Sequence, residues 1–195
     1  GEVTISAGRA GEAASTHLRE CFARLDLPLH RFKTGTVPRV LLSTIDTHEL
    51  TVQPSSSRPL RFSYDHVERP KRPLLPCYIT STIGKTHELL RENAHRSALW
   101  SGRITGVGPR YCPSIEAKLI RFPDRETHLA FLEQEGWDTD EVYVQGVSNS
   151  MPADVQLQML HSMPGLANCH MMRPGYAIEY DFIDPRSLGR DLGYT

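Results

Sequence analysis

Gly106-Val107-Gly108-Pro109-Arg110-Tyr111-Cys112-Pro113-Ser114-Ile115-Glu116 runs directly into Ala117-Lys118-Leu119-Ile120-Arg121-Phe122. Two glycines and two prolines impose an irregular backbone path, and the apolar run behind them reads as a strand that anchors the turn in a sheet. The turn presents a guanidinium (Arg110), a phenol (Tyr111), a thiol (Cys112) and a carboxylate (Glu116). A single cysteine is more often a small buried hydrophobe than a nucleophile, so the residues around it decide its chemistry.

Working outward, Leu129 to Glu133 and Val142 to Val144 read as strands, as does Cys77 to Thr82, which is rich in β-branched and aromatic residues. Tyr176 to Phe182 alternates apolar and polar groups, the pattern of a half-buried strand. Thr86 to Ala94 reads as a short helix with Leu89 and Leu90 inward. Ser148 to Asp154, with Pro152, reads as a helix start whose apolar face is Val155, Met159, Leu160 and Met163, with Gly165 as its end. Toward the N-terminus, Val3 to Ser6 reads as a short strand. A helix from Glu12 to Leu25 follows, carrying Cys21 on its apolar stripe, then a strand from Leu27 to Thr34 and a polar turn at Lys33 to Thr36. Between Pro54 and Pro76, five prolines alternate with serines and with Arg58, Arg61, Arg69, Lys71 and Arg72. This segment reads as an extended arm with one edge strand near Leu60 to Tyr64, suited to RNA phosphates or to plain linker duty. The tail beyond Ser187 has no apolar face and reads as loosely packed.

Composition is ordinary for a globular chain of 195 residues, with a formal net charge of -1 that argues against a uniformly basic nucleic-acid module. The four cysteines are widely spaced with no C-x-x-C pair, the pattern of a reducing compartment. Nine histidines form neither H-E-x-x-H nor a Cys/His cluster, so no metal site is expected. No apolar run reaches the length of a membrane span. No G-x-G-x-x-G opens a helix, and the G-x-x-x-x-G-K-[ST] spacing is absent.

Gly108 to Glu116 resembles the most distinctive internal motif of the glucose-inhibited division protein A family, the large flavin-containing subunit of the tRNA wobble-uridine 5-carboxymethylaminomethyl modification enzyme. Three more segments are similar to that family in the same order: Gly8 to Glu12, Lys33 to Arg39, and Arg173 to Phe182. The chain departs from the pattern at Val37 and Gln134, where the family usually has proline.

The resemblance implies a mixed α/β fold in which residues 1–26 form the edge of an FAD-binding Rossmann-type domain. Residues 27–170 would then form a mostly β inserted substrate- and nicotinamide-binding domain with its arm at 54–76. Residues 171–195 would be a return strand and loose tail, and the whole would read as a central piece of a longer protein. It implies FAD, NADH and methylenetetrahydrofolate as cofactors and one-carbon donor, tRNA as substrate, a partner GTPase and a homodimer, in a bacterial cytoplasm or a mitochondrial matrix. Carried over residue by residue, Ser15 lies against the flavin, and Gly108, Pro109, Tyr111, Pro113 and Ser114 hold the nicotinamide. From their charge, and not from the resemblance, Lys33 and Arg39 are read as facing an RNA phosphate or a cofactor pyrophosphate, and the cations of the arm (Arg58, Arg61, Arg69, Lys71, Arg72) as meeting RNA. Cys112, with Arg110 and Glu116, forms the catalytic group. Carbon 5 of uracil is a weak nucleophile until a group adds at carbon 6, and a thiolate beside a cation does that well. The alternative expectation is a degenerate relative that acts as a non-catalytic scaffold for RNA or a ribonucleoprotein.

Overall fold

The computed structural model describes residues 1–57, 60, 63–65, 72–110 and 112–194. Six short strands build its main sheet: β2 (Arg39–Leu41), β3 (Thr51–Gln53), β4 (Cys77–Ser81), β5 (Leu129–Gln134), β6 (Glu141–Gln145) and β7 (Met171–Arg173). Their order is β3-β4-β5-β6-β2-β7, and every neighbouring pair is antiparallel. Alternation along β5 and β6 drives the pairing: Ala130, Leu132, Val142 and Val144 are buried, and Leu132 pairs with Val144. That inner face shares one core with Leu90 of α2 (Gly84–Glu92), with Ile115 and Leu119 of α3 (Ile115–Arg121), and with Val155, Met159 and Leu160 of α4 (Ala153–His161). Each such side chain stabilises the fold by roughly 1.5–3 kcal/mol.

A second, two-stranded ribbon pairs β1 (Leu29–Gly35) with β8 (Ala177–Ile183), in register from Leu29↔Ile183 to Gly35↔Ala177. Phe32 and Phe182 stack across it at 3.8 Å between ring centroids. Two strands alone are marginal in water, and this ribbon is tied to the main core by a buried glutamine. Gln156 of α4 donates from Nε2 to the carbonyls of Met151 (2.7 Å) and Gly175 (2.8 Å), and its Oε1 accepts from Gly175 N (2.7 Å). Gly175 is required here, because a Cβ would stand 2.5 Å from the Thr36 carbonyl. Gln156→Leu keeps the volume and orphans three backbone groups, so we expect a loss of about 2–4 kcal/mol in denaturant unfolding.

The expected strand at 117–122 is instead helix α3. Ser114 caps it by accepting from Ala117 N (3.3 Å), and Ile115 and Leu119, four residues apart, turn inward while Ile120 and Phe122 are exposed. The period is that of a helix and not of a strand. The first helix is shorter than expected, α1 (Thr16–Arg24), and none of its residues is buried, so Cys21 is exposed. Residues 3–6 form no strand, and Lys33 and Thr34 belong to β1 and not to a turn. The expected edge strand at 60–64 lies partly outside the described residues. In the tail, the Ser187 and Tyr194 hydroxyls meet at 2.8 Å and close a small surface loop.

Against β4 and β5 lies a buried pair of imidazoles. His87 Nε2 meets the Thr82 hydroxyl at 2.7 Å, and the rings of His87 and His128 are 5.4 Å apart. Burial pushes both below the ordinary histidine value of 6.5, helped at His87 by Arg91 and at His128 by Lys118. A group whose folded pKa is depressed in this way binds its proton more readily in the unfolded chain. The stability from the neutral pair is therefore complete above pH 6.5 and is lost as pH falls below it. Thermal melts should show a drop through that window which His128→Asn flattens.

Candidate functional site

The loop at 105–113 is built onto the outer edge of β1. Val107 N donates to the Arg31 carbonyl (3.2 Å) and Lys33 N donates to the Val107 carbonyl (3.0 Å), so the loop adds one parallel bridge to the ribbon. Gly106 permits that approach: a Cβ there would stand 2.9 Å from the Phe32 carbonyl. Glu179 on β8 fixes the start of the loop, since its Oε1 accepts from Thr105 N (2.9 Å) and Gly106 N (2.7 Å) and its Oε2 lies 3.2 Å from Arg31 Nε. Burial would raise the Glu179 carboxyl, but the two amides and the guanidinium outweigh it and hold the group below the ordinary carboxylate range.

Beyond Gly108 the chain turns, with Cys112 N donating to the Pro109 carbonyl (3.2 Å). Cys112 is half-buried, and its sulfur lies 3.0 Å from the Thr34 hydroxyl on β1. Lys33, next along the strand, is 8% exposed, and its stem runs beneath Gly108, where a Cβ would meet Cε at 3.4 Å. Among the described residues no carboxylate lies within salt-bridge distance of it. Arg110 is exposed on the turn. Glu116 is fully buried and faces inward, where its Oε1 accepts from Ser150 N (2.7 Å), Ser150 Oγ (2.8 Å) and Ser97 Oγ (3.3 Å). Its Oε2 is buried without a hydrogen-bond partner among the described residues.

The other expected site residues are dispersed. Ser114 is buried and its hydroxyl is spent on the α3 cap, while Gly108, Pro109 and Pro113 are half-buried along the loop. Ser15 is exposed at the start of α1, where its side chain makes no cap hydrogen bond. Arg39 is engaged by Glu135 (2.9 Å), the Val37 carbonyl (2.8 Å) and the ring of Tyr143 (4.5 Å). Arg72 lies 3.6 Å from Asp138 and over the ring of Trp137, whose indole N–H donates to the Pro73 carbonyl (2.8 Å). Tyr111, Arg58, Arg61, Arg69 and Lys71 lie outside the described residues. Sequence reasoning missed Thr34, Ser97 and Ser150. Of these only Thr34 had a signal, its place beside Lys33 in a matched segment.

Cys169 is buried, which pushes it up to about 11; Cys77 and Cys112 are half-buried, with burial pushing Cys77 above the ordinary thiol value; and Cys21 is exposed. Exposure of Cys21 overturns the burial that its place on the apolar stripe of the first helix implies. An open cleft of about 510 Å³ runs along the ribbon between Phe32, Val107, Phe182 and Arg186. Among the described residues no group of three or more His, Cys, Asp or Glu is placed to hold a metal, and no helix is long and apolar enough to cross a membrane.

The family model described as glucose inhibited division protein A matches residues 1–194. The chain belongs to this family. It is 50% identical over 188 residues to the tRNA uridine 5-carboxymethylaminomethyl modification enzyme MnmG of Bacillus subtilis, covering 96% of the chain and 30% of that protein. The enzyme of the same name from Nitratiruptor is 48% identical, with 98% of the chain and 31% of that protein covered. Among solved structures, Aquifex aeolicus GidA in its form I crystal superposes with a TM-score of 0.85 at 48% identity, covering 96% of this chain and 32% of that one. The chain thus spans about a third of the length of its glucose-inhibited division protein A relatives. Its mixed α/β architecture is that of the Aquifex protein.

Proposed function

We propose that this chain is the substrate-handling region of a flavin-dependent enzyme that installs a carboxymethylaminomethyl or aminomethyl group at carbon 5 of the wobble uridine of tRNA. The observation that carries this reading is a reachable thiol, Cys112, held against Thr34 on a glycine-shaped loop, in a chain whose close relatives are named for tRNA uridine modification. The thiolate adds to carbon 6 of the uracil, carbon 5 gains enolate character and bonds to the one-carbon unit, and loss of the carbon 5 proton then expels the thiolate from carbon 6. Arg110 supplies positive charge on the exposed side of the turn. In this reading Glu116 supports the loop from inside the core, because among the described residues the donors that reach it are buried serine groups.

When bound, FAD and NADH supply the reducing power and methylenetetrahydrofolate the one-carbon unit. Ser15, exposed and free of cap duty, fits the rim of a flavin site, and no phosphate-cradling glycine fingerprint is present in the chain to hold a pyrophosphate. The residues present therefore fit an edge of the flavin site only. The nicotinamide falls to the loop of Gly108, Pro109, Tyr111 and Pro113, with Ser114 contributing only through its backbone. tRNA meets the arm cations and Arg72. The partner GTPase, the homodimer, the division into segments 1–26, 27–170 and 171–195, and a cytoplasmic or mitochondrial setting complete the proposal. Nucleoside analysis of tRNA from cells deleted for the intact protein tests it. Loss of the 5-substituted wobble uridine is expected, and an unchanged level would overturn it.

A further inference from the structure

We propose that Thr34 is a positioning residue that aims the Cys112 sulfur and donates to it as it reacts, assisted by Lys33 beneath the same loop, which has no carboxylate in reach among the described residues. This rests on the reading of Cys112 as the group that adds to the uridine. Its grounds are geometric. The Thr34 hydroxyl lies 3.0 Å from the sulfur, and among the described residues neither group has another hydrogen-bond partner. A deprotonated sulfur only accepts, so in that state the hydroxyl is the donor. Pairing of β1 with β8 fixes the Thr34 backbone, and a β-branched side chain on a strand has few rotamers, so the donor is aimed before substrate arrives.

Lys33 is the independent second observation. A lysine residue that is only 8% exposed is normally paired, yet no carboxylate is in reach among the described residues, although its cross-strand neighbour is Glu179. Glu179 is already taken by Thr105 N, Gly106 N and Arg31. A negative charge developing at the loop, first on sulfur and then on the uracil enolate, is the counter-charge this lysine lacks. On deprotonation the thiol proton passes to water, and no other bond changes.

The test is the pH profile of Cys112 alkylation by iodoacetamide in the intact protein, followed peptide by peptide, with exposed Cys21 as internal reference. Thr34→Val keeps the shape and removes the hydroxyl. Its Cys112 profile should move to higher pH by about one unit, a roughly tenfold loss of thiolate near pH 7, with the Cys21 profile unmoved. Thr34→Ser should restore the wild-type profile, and Lys33→Gln should shift it in the same direction as Val. A Val profile that superimposes on wild type, or a Ser profile that follows Val, would overturn the role of the hydroxyl. An unmoved Lys33→Gln profile would remove the cation from the account. Should the Val variant fail to fold, Thr34→Ala carries the same readout. Because alkylation needs no tRNA, a shifted profile alongside a fully active Cys112→Ser enzyme would leave this seat standing and sink the uridine reading instead.

Discussion

Cys112→Ser in the intact protein should abolish wobble-uridine modification, by at least about a thousandfold, while flavin content and thermal stability should stay at wild-type levels. The size of the effect follows from the proposed step. Serine is nearly isosteric and keeps the contact with Thr34, but its hydroxyl is ionised far less than a thiol near neutral pH and adds poorly to a pyrimidine. Flavin content is unaffected because the loop lies on the β1 edge and Ser15 is on a different element. Cys21→Ala should leave activity unchanged, and its stability cost should be small, since α1 buries none of its side chains. Exposure of Cys21 also means that alkylation rate alone no longer singles out the working thiol. Turnover and the pH profile do.

Glu116→Leu has the largest expected effect on stability. Its carboxylate gathers Ser150 N, Ser150 Oγ and Ser97 Oγ, and the two serines in turn accept from Leu99 N (3.0 Å) and Trp100 N (3.2 Å). One buried oxygen therefore joins α3, the turn after α2 and the segment leading into α4. Leucine would leave these donors unsatisfied at a site with no exposure, at a cost of about 3–5 kcal/mol in the denaturant midpoint. Glu116→Gln retains an acceptor at Oε1 and should cost about 1 kcal/mol. If Glu116 acts by proton transfer, the Gln variant loses turnover at nearly full stability. If it supports the loop, as proposed here, the Gln variant retains most of its activity.

The elements legible in the sequence were those whose pattern is local. β5 and β6 alternate, α4 carries Val155, Met159 and Leu160 at helical spacing, and β8 forms over the expected stretch although its burial does not alternate. Helix α3 was misread because a short run such as Leu119-Ile120-Arg121-Phe122 satisfies two periods at once. The deciding signal was the Ser114 cap ahead of it. β2, β3 and β7 are three residues each, too short to show any period. α1 has an apolar stripe that is not buried in this chain, so a pattern that normally marks burial misplaced Cys21. At the site, the Gly/Pro loop and its thiol were visible. The partners of Glu116, 19 and 34 residues away, and the approach of Thr34 to Cys112 across 78 residues depend on tertiary packing and left no local trace.

The central claim is that Cys112 bonds to carbon 6 of the wobble uridine. It is tested most directly with a tRNA carrying 5-fluorouridine at the wobble position. Fluorine cannot leave carbon 5 as a cation, so an adduct formed there persists through digestion. Mass spectrometry of the digested complex of the intact protein should find the nucleotide on the Cys112 peptide, absent in Cys112→Ser and diminished in Thr34→Val. A nucleotide on Cys21 instead, or none on any cysteine while native tRNA is still modified, would contradict the account.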